Sequence, residues 1–461
     1  MNEKRWTIIN YALMLLSVLL GFYLSNGTVV FGSDPNRGLV LWEMIVANSI
    51  FLCSFGALIT INVLRKKYKP NYVLIGIFGG LFILNLISIL VFKGQQTISF
   101  TGVDNNTYSF DFVVPSYDRV RYVFNFLAML CLGLFILDVS WQVANIKQFL
   151  GILSLAVIAM NIVLIIISYF MHGYNFIDFY RFLFTDDFYR ASVISVFATK
   201  NAYAATLLLG IIASLYLHLV TRKWYWFIPL VYIFTNIIHT ISKSVIIFSA
   251  VLIIAYLLYV FFTTYKEHKK MNLIALAAVG GTLLLGVLVV TIVLLAKGKF
   301  VSAFESIFLT KGQDTLESRT WIWNKVVLIL NRSNWVIGVG YGLFSTLLHS
   351  YNMADVSASE INGRYSAHSG YLQFMGEGGI VFLLVALLII GMLVYLGIKN
   401  YKRNPPLVVF SLTVLTLYLV YMIVESVMVV MPHSLEFGIA GMFIALPILN
   451  LNKERLMEKQ Q

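Results

Sequence analysis

Long apolar runs alternate with short polar segments along the whole chain. About twelve of these runs approach the ~20 residues with which an α-helix crosses the hydrocarbon core of a bilayer. The weakest run, near 225–240, is short and contains Pro229, and if it did not cross, every later segment would change side. The pattern predicts an all-α, polytopic transmembrane helical bundle that forms a single domain over residues 1–461. The predicted spans lie near 7–24, 40–64, 72–92, 120–138, 148–171, 201–220, 225–240, 244–262, 273–296, 379–398, 407–425 and 434–450.

The distribution of Lys and Arg predicts the orientation of the bundle. Short loops that are dense in these residues remain in the cytoplasm. If both termini are cytoplasmic, the inner segments hold Lys4, Arg5, Arg65, Lys66, Lys67, Lys69, Lys147, Arg222, Lys223, Lys266, Lys269, Lys270, Lys399, Lys402, Arg403, Lys453, Arg455 and Lys459. The outer segments are then 25–39, 93–119, 172–200, 241–243, 297–378 and 426–433. This alternation holds along the whole chain, which supports an even number of crossings.

Composition supports a membrane protein and argues against nucleic-acid binding. Hydrophobic residues make up 59% of the chain and charged residues 12%, which is too few charges for the surface of a soluble protein. The net charge of +12 comes from loop residues that fix orientation, and it forms no basic stripe. Cys53 and Cys131 lie within apolar runs, where we expect buried packing residues rather than metal ligands.

Two of the outer segments are long enough to have structure of their own. Residues 93–119 alternate polar with aromatic or β-branched residues around Asn105–Asn106, which predicts a small β-hairpin. Residues 297–378 contain no run that could span, so they form a large extracytoplasmic loop with short helices. The amphipathic stretch "TWIWNKVVLIL" in this loop could lie along the interface. Trp321, Trp323 and Trp335 suit that depth.

The stretch "RYSAHSGYLQFMGEGG" at residues 364–379 is the most informative part of the chain. From Ser369 onward it can be helical, which places His368 at the N-terminal end of a helix. The positive end of the helix dipole disfavours imidazolium, and a neutral imidazole is what a general base requires. The same helix end could hold phosphate. The alternative interpretation is a solvated loop histidine.

Several cationic residues lie in the predicted outer segments. Arginine at membrane depth is costly and usually faces a polar cavity, where its guanidinium can grip phosphate oxygens in a bidentate fork. A cavity of this kind would suit a pyrophosphate-bearing lipid. The alternative is that each side chain simply reaches toward lipid headgroups. The residues concerned are Arg190, Lys200, Lys243, Arg319 and Arg364, with Asn201 beside Lys200.

Other polar motifs are weaker. The glycine-rich turn "GVGYG" at Gly338–Gly342 lacks the strand and helix that a nucleotide fingerprint requires. Asp186–Asp187 alone supplies too few ligands for a metal, so we predict no metal site and no cofactor. Within the spans, Asp138 lies near an inner end and Glu425 near an outer end. Glu425 could pair with a cavity arginine or face headgroups.

The segment "AHSGYLQFMGEGGIVFLLV" resembles the signature of the superfamily of O-antigen ligases and polysaccharide polymerases. Weaker similarities occur in the family order, so that the resemblance covers roughly residues 190–430. The matching positions are His368, Ser369, Tyr371, Leu372, Glu377 and Gly379, with Arg190 and Asn201, Ser242 and Lys243, Arg319, Trp321, Gly338 and Gly340, and Val424–Ser426.

The resemblance implies a GT-C-like glycosyltransferase of the bacterial cytoplasmic membrane, with its active site facing outside. Such enzymes transfer an undecaprenyl-pyrophosphate-linked oligosaccharide, with inversion, to a sugar hydroxyl of an acceptor glycan, without a metal. Membrane lipid and a chain-length regulator protein are the further partners implied. His368 and Arg319 would be catalytic, and the substrate-binding residues would be Arg190, Lys243, Arg364, Asn201, Tyr371 and Glu377. Lys243 stands where the family usually has Arg, so it keeps the charge but loses the bidentate grip.

Four interpretations remain open on the sequence alone. The first choice is a polymerase that joins lipid-linked repeats into O-antigen, capsule or exopolysaccharide. The close alternative is an O-antigen ligase that moves glycan to lipid A-core or another surface acceptor. A flippase for the same lipid-linked oligosaccharide is a competing class, although we find no internal repeat of the kind that many transporters show. A scaffold that only organises the glycan machinery is the fourth and least specific interpretation.

Overall fold

A computed structural model describes most of the chain as helices and one β-hairpin. The described residues are 3–16, 18, 39–92, 95–101, 105–114, 116–172, 195, 197, 200–240, 242–265, 316–356, 366–426 and 435–458. The predicted span near 273–296 and most of the large loop before residue 316 lie outside them. Helices dominate because a backbone in lipid must satisfy its hydrogen bonds within the segment.

The elements are numbered here in chain order. The helix at Ser116–Leu134 continues through a π-helical turn (Phe135–Val139) into a last short turn (Ser140–Val143). The elements are α1 (Glu3–Leu15), α2 (Leu39–Leu64), α3 (Tyr72–Val91), β1 (Gln95–Thr101), β2 (Thr107–Val113), α4 (Ser116–Leu134), α5 (Ile146–His172), α6 (Lys200–Thr221), α7 (Phe227–His239), α8 (Lys243–Tyr265), α9 (Leu316–Arg332), α10 (Leu343–Val356), α11 (Gly370–Asn400), α12 (Pro405–Val424) and α13 (Leu435–Glu458).

Among the described residues, seven helices are long and apolar enough to cross a membrane. They confirm that the protein is membrane-embedded and helical, and they correspond to α3, α4, α5, α6, α8, α11 and α12. Helices also occupy the predicted spans of α1, α2, α7 and α13. α7 has only 13 residues, which agrees with the weakness of the run near 225–240. A total of about twelve crossings, each needing ~20 residues, stays a prediction.

The described elements form two compact units. The first comprises Met1–Leu150 with Gln313–Gln461, and the second comprises Gly151–Gly312. The second unit is built around α6, whose side chains are buried along most of its length. At Gly210 of α6 the side chains of Ile233 and Asn161 approach so closely that an added Cβ would lie 2.7 Å from Ile233 Cδ1.

The predicted β-hairpin is confirmed, and its two faces differ sharply. β1 and β2 pair antiparallel with Ser99 opposite Ser109, and the connecting Asn105 has a left-handed φ of 63°. One face exposes hydroxyl and carboxylate groups. The other face buries Phe100 and Phe110 against Tyr351 of α10, with ring centroids 4.8 and 5.3 Å apart respectively. The hairpin therefore covers the apolar cluster formed by α9 and α10.

Buried polar residues connect the helices of the first unit. Asp138, in the π-helical turn, accepts hydrogen bonds from the Tyr68 hydroxyl at 2.6 Å, the Asn71 N–H at 3.1 Å and the Gln142 amide at 2.8 Å. Each of these partners removes part of the cost of burying a carboxylate. Cys53 corrects our expectation, because its side chain is exposed on α2, whereas Cys131 is partly buried. An apolar thiol on the outer face of a spanning helix needs no protein partner.

α11 is broken at Gly379, and this break determines how the first unit is assembled. Gly379 has a φ of 67° and a ψ of −168°, so the two halves of α11 do not continue the same hydrogen-bond ladder. The carbonyls of Gly376 and Glu377 instead accept from Val339 N at 2.8 Å and Gly340 N at 2.9 Å.

The N–H groups that follow the break donate to carbonyls of the loop between α9 and α10, which also contains Val339 and Gly340. Ile380 N donates to the Trp335 carbonyl at 2.8 Å, and Val381 N donates to the Val336 carbonyl at 3.3 Å. Four backbone groups that a helix break would leave open are thus satisfied by residues 335–340. We call this set of four hydrogen bonds the backbone junction.

Gly379→Ala tests the backbone junction. A Cβ at position 379 would overlap the carbonyl of Val336, and a non-glycine residue at this φ costs a further ~1–2 kcal/mol. We expect a lower midpoint of thermal unfolding in detergent. Gly391→Ala in the same helix is the matched control, because its added Cβ meets nothing within 4 Å. Equal midpoints for the two variants would contradict this account of the break.

Candidate functional site

Glu425 brings together the two residues that were predicted to be catalytic. Its Oε1 lies 3.3 Å from Nη2 of Arg319, and its Oε2 lies 3.5 Å from Nδ1 of His368. The side chains of Glu425 and Arg319 are only 10% and 18% exposed, whereas that of His368 is 29% exposed. The pairing of Glu425 with an arginine, one of two alternatives from sequence, is therefore the one observed.

Three elements carry these side chains. Arg319 lies in the first turn of α9, and His368 lies two residues before α11 begins. Glu425 is the C-cap of α12, where its extended backbone ends the helix and its N–H donates to the Tyr421 carbonyl at 2.9 Å. The predicted position of His368 at the start of a helix is confirmed.

The backbone around His368 is held on both sides. The Ala367 N–H donates to Oε1 of Gln373 at 3.0 Å, and the Ala367 carbonyl accepts from Nε1 of Trp323 at 3.0 Å. His368 itself has a φ of 47°, a left-handed conformation that is uncommon for a residue with a Cβ. Ala367 is fully buried, so its peptide groups need these partners.

Gln373 is the centre of a small polar network inside the first unit. Its Nε2 donates to Oε1 of Glu377 at 2.7 Å and to Oγ of Ser345 at 2.9 Å. Gln373 and Glu377 are 3% and 4% exposed. The amide thus uses both of its donor hydrogens and its acceptor oxygen within the protein. No sequence motif singled out Gln373 or Ser345.

Tyr371 and Glu377 each have a hydrogen-bond partner inside the protein. The Tyr371 hydroxyl donates to the Leu419 carbonyl of α12 at 3.0 Å, and Glu377 accepts from Gln373. The resemblance implied that both bind substrate. In the structure, the Tyr371 bond connects α11 to α12, and the Glu377 bond lies within α11; the substrate-binding role of both residues stays a prediction.

The glycine-rich stretch Gly338–Gly342 packs closely against the break in α11. It contributes to the backbone junction, and an added Cβ at Gly338 would lie 2.6 Å from the backbone nitrogen of Gly379. Residues of α3 secure it further: Asn85 Oδ1 accepts from Tyr341 N at 2.7 Å, and Ser88 Oγ donates to the Ile337 carbonyl at 3.1 Å. Its glycines therefore allow close backbone approach.

Lys325 is a buried cation in α9 that sequence reasoning did not single out. It is 4% exposed, and its Nζ donates to the Tyr351 carbonyl at 2.8 Å. The same nitrogen lies 3.4 Å from the ring centroid of Trp321. A cation over an indole face is a favourable arrangement when both are desolvated. Trp321 and Trp323 thus have polar contacts inside the protein, and Trp335 is the more exposed indole, at 39%.

Of the remaining predicted site residues, two belong to the second unit and two lie outside the described residues. Asn201 and Lys243 belong to the second unit, where Ser242 Oγ donates to Asn201 Oδ1 at 2.8 Å. This bond joins the first turn of α6 to the residue before α8. Arg190 and Arg364 lie outside the described residues, as does Asp186–Asp187. Within the described part of the chain, no three His, Cys, Asp or Glu side chains are grouped as metal ligands.

A double-mutant cycle tests the Arg319–Glu425 pair. We expect Arg319→Gln and Glu425→Gln to show a coupling of ~0.5–3 kcal/mol in the free energy of unfolding, because the pair is largely screened from water. The comparison pair is Arg403–Glu458, which has a shorter contact of 2.6 Å but a glutamate that is 63% exposed. We expect weaker coupling there, since water screens exposed pairs. Stronger coupling in the exposed pair would contradict this description of the site.

Comparison with known proteins identifies the region that contains much of this geometry. Residues 228–387 match a family model described as O-antigen ligase, and this range includes Arg319, His368 and the backbone junction. No curated protein matches the chain. The match agrees with the sequence resemblance and supports an enzyme of the O-antigen ligase or polymerase type. Residues 228–387 thus match the O-antigen ligase family model, which supports the superfamily of O-antigen ligases and polysaccharide polymerases.

Proposed function

We propose that this protein is a polysaccharide polymerase that uses a polyprenyl-pyrophosphate-linked glycan as donor and a sugar hydroxyl of a second lipid-linked glycan as acceptor. The observation that carries the proposal is the contact of His368 and Arg319 with opposite oxygens of one carboxylate, Glu425. The family match supports glycan transfer as the reaction type. Undecaprenyl pyrophosphate is the lipid that the sequence resemblance implies.

His368 is the proposed general base. Its Nε2 takes the proton of the acceptor hydroxyl as the hydroxyl oxygen attacks the anomeric carbon of the donor sugar. The bond from that carbon to the pyrophosphate oxygen breaks, so the configuration inverts. Glu425, 3.5 Å from Nδ1, stabilises the imidazolium that forms. A positioned general base contributes ~10²–10⁴-fold to rate.

Arg319 is the proposed stabiliser of the leaving pyrophosphate. A guanidinium carries five N–H donors in a planar fork, and the contact with Glu425 engages one terminal nitrogen. The leaving group gains negative charge as the glycosidic bond breaks, which a fixed cation stabilises. Glu425 also offsets the repulsion between Arg319 and the imidazolium, so both cations can lie in one site.

The remaining substrate-binding residues of the proposal rest on the sequence. Arg190, Lys243, Arg364 and Asn201 are assigned to the pyrophosphate and glycan by the resemblance. A membrane-embedded protein with its site at the outer leaflet, in a bacterial cytoplasmic membrane, is part of the same proposal. A chain-length regulator protein would be an additional partner.

Cysteine labelling tests the proposed sidedness. In a variant in which Cys53 and Cys131 are replaced by Ser, we expect Ser109→Cys in the hairpin to react with a membrane-impermeant maleimide on intact spheroplasts. Lys67→Cys, in the predicted cytoplasmic loop, should react only after lysis. Both positions are exposed, so the comparison depends on sidedness alone. The reverse pattern would place the site away from an outer-leaflet donor.

A donor-only assay tests the polymerase. With a lipid-linked repeat as the only substrate, purified protein should produce a ladder of longer lipid-linked glycans, because each repeat can also be the acceptor. His368→Ala should reduce the rate of transfer ~10²–10⁴-fold, which is the contribution expected of a general base. A single transfer that requires a different added acceptor would instead indicate a ligase.

Following the lipid-linked repeat in cells that carry His368→Ala separates transfer from transport. A flippase predicts that His368→Ala stops movement of the lipid-linked repeat to the outer leaflet, whereas the polymerase predicts that the repeat accumulates there. No turnover by folded protein with its correct donor would favour a scaffold.

A further inference from the structure

We propose that Gln373 is a positioning residue that holds His368 in place for proton transfer, and that Glu377 fixes the orientation of the Gln373 amide. This inference rests on the proposed role of His368 as general base. It assigns Glu377 to the support of His368 rather than to the glycan.

Two hydrogen bonds anchor the backbone of Ala367, the residue before His368. Gln373 Oε1 accepts from the Ala367 N–H, and Trp323 Nε1 donates to the Ala367 carbonyl, both at 3.0 Å. The backbone N–H of Ala367 is thus held by α11, and its carbonyl is held by α9. His368 follows directly, so the direction of its Cα–Cβ bond depends on this anchoring.

The backbone of His368 is strained. His368 has a φ of 47°, whereas residues with a Cβ favour negative φ. Such a conformation is strained and persists only where its surroundings impose it. Without the bond from Ala367 to Gln373, the loop could relax toward negative φ. The imidazole would then leave Glu425, from which its Nδ1 is only 3.5 Å away.

The partners of the Gln373 side-chain amide fix which way it faces. An isolated glutamine could present either its oxygen or its nitrogen to the Ala367 N–H, and only the oxygen can accept. Glu377 Oε1, 2.7 Å from Gln373 Nε2, requires a donor at that end of the amide. The Ser345 hydroxyl, at 2.9 Å, accepts the second hydrogen of Nε2. The carboxylate of Glu377 thereby leaves Gln373 Oε1 facing Ala367.

Exchanging the amide of Gln373 and the carboxylate of Glu377 tests this inference. Gln373→Glu places two carboxylates where an amide and a carboxylate now meet, and their repulsion should displace the new side chain from Ala367. We expect kcat to fall at least ~10-fold, within the ~10²–10⁴ that a general base supplies, with KM little changed. The double variant Gln373→Glu/Glu377→Gln restores one donor and one acceptor in exchanged positions. It should recover most of the lost kcat.

Gln142→Glu is the matched control. Gln142 Nε2 donates to Asp138 Oδ1 at 2.8 Å across the same i, i+4 spacing, but in the cluster around Tyr68. This variant introduces the same like-charge contact away from His368. We expect a comparable loss of thermal stability with kcat unchanged. A similar loss of kcat in Gln142→Glu would mean that general destabilisation explains the effect.

Two further measurements separate positioning from a purely structural role. In a His368→Ala background, Gln373→Glu should cause no additional loss of residual activity, because Gln373 acts through His368. Independently of activity, diethyl pyrocarbonate should modify His368 several-fold faster in Gln373→Glu than in wild type, as followed by mass spectrometry. The exchange variant should return to the wild-type modification rate.

The outcomes distinguish this inference from the proposed function. If wild type transfers no glycan but the modification rates change as stated, the proposed function fails and the anchoring of His368 stands. If Gln373→Glu leaves both kcat and the modification rate at wild-type values, the inference is overturned. It is also overturned if the exchange variant folds normally yet stays as slow as Gln373→Glu.

Discussion

The backbone junction between α11 and residues 335–340 is the constraint on which the site depends. A helix that breaks in a membrane leaves N–H and C=O groups without partners, and each open group costs several kcal/mol in hydrocarbon. Here the two carbonyls before Gly379 and the two N–H groups after it are all satisfied by one loop. Because that loop joins α9 to α10, the break attaches the helix that carries Arg319 to the helix that His368 precedes.

The charges of three neighbouring side chains then determine the chemistry that the site can perform. Two potential cations, Arg319 and protonated His368, lie on either side of Glu425. Without the carboxylate they would repel each other when His368 accepts a proton. With it, a base and an anion-stabilising group can act together, as the proposed transfer from a pyrophosphate lipid requires. The polar network around Gln373 holds the imidazole within that arrangement.

The sequence predicted the features that depend on local patterns. Apolar runs predicted the spanning helices, the alternation around Asn105–Asn106 predicted the hairpin, and the segment after His368 predicted the start of α11. The break at Gly379 was not predicted, because "GEGG" is compatible with a continuing helix until residues 335–340 offer alternative partners. Asn85 bonds to Tyr341 across 256 positions, and no local pattern indicates such a pairing. The sequence left two alternatives for the role of Glu425, pairing with an arginine or facing headgroups. Its contact with Arg319 became evident only in the three-dimensional structure.

The most direct measurement is an experimental density map of the His368→Ala variant with its lipid-linked donor bound, since this variant should retain donor without turnover. The account predicts that the pyrophosphate lies within hydrogen-bond distance of Arg319, with the anomeric carbon of the first sugar facing position 368. A pyrophosphate bound away from Arg319, with position 368 remote from the sugar, would contradict it.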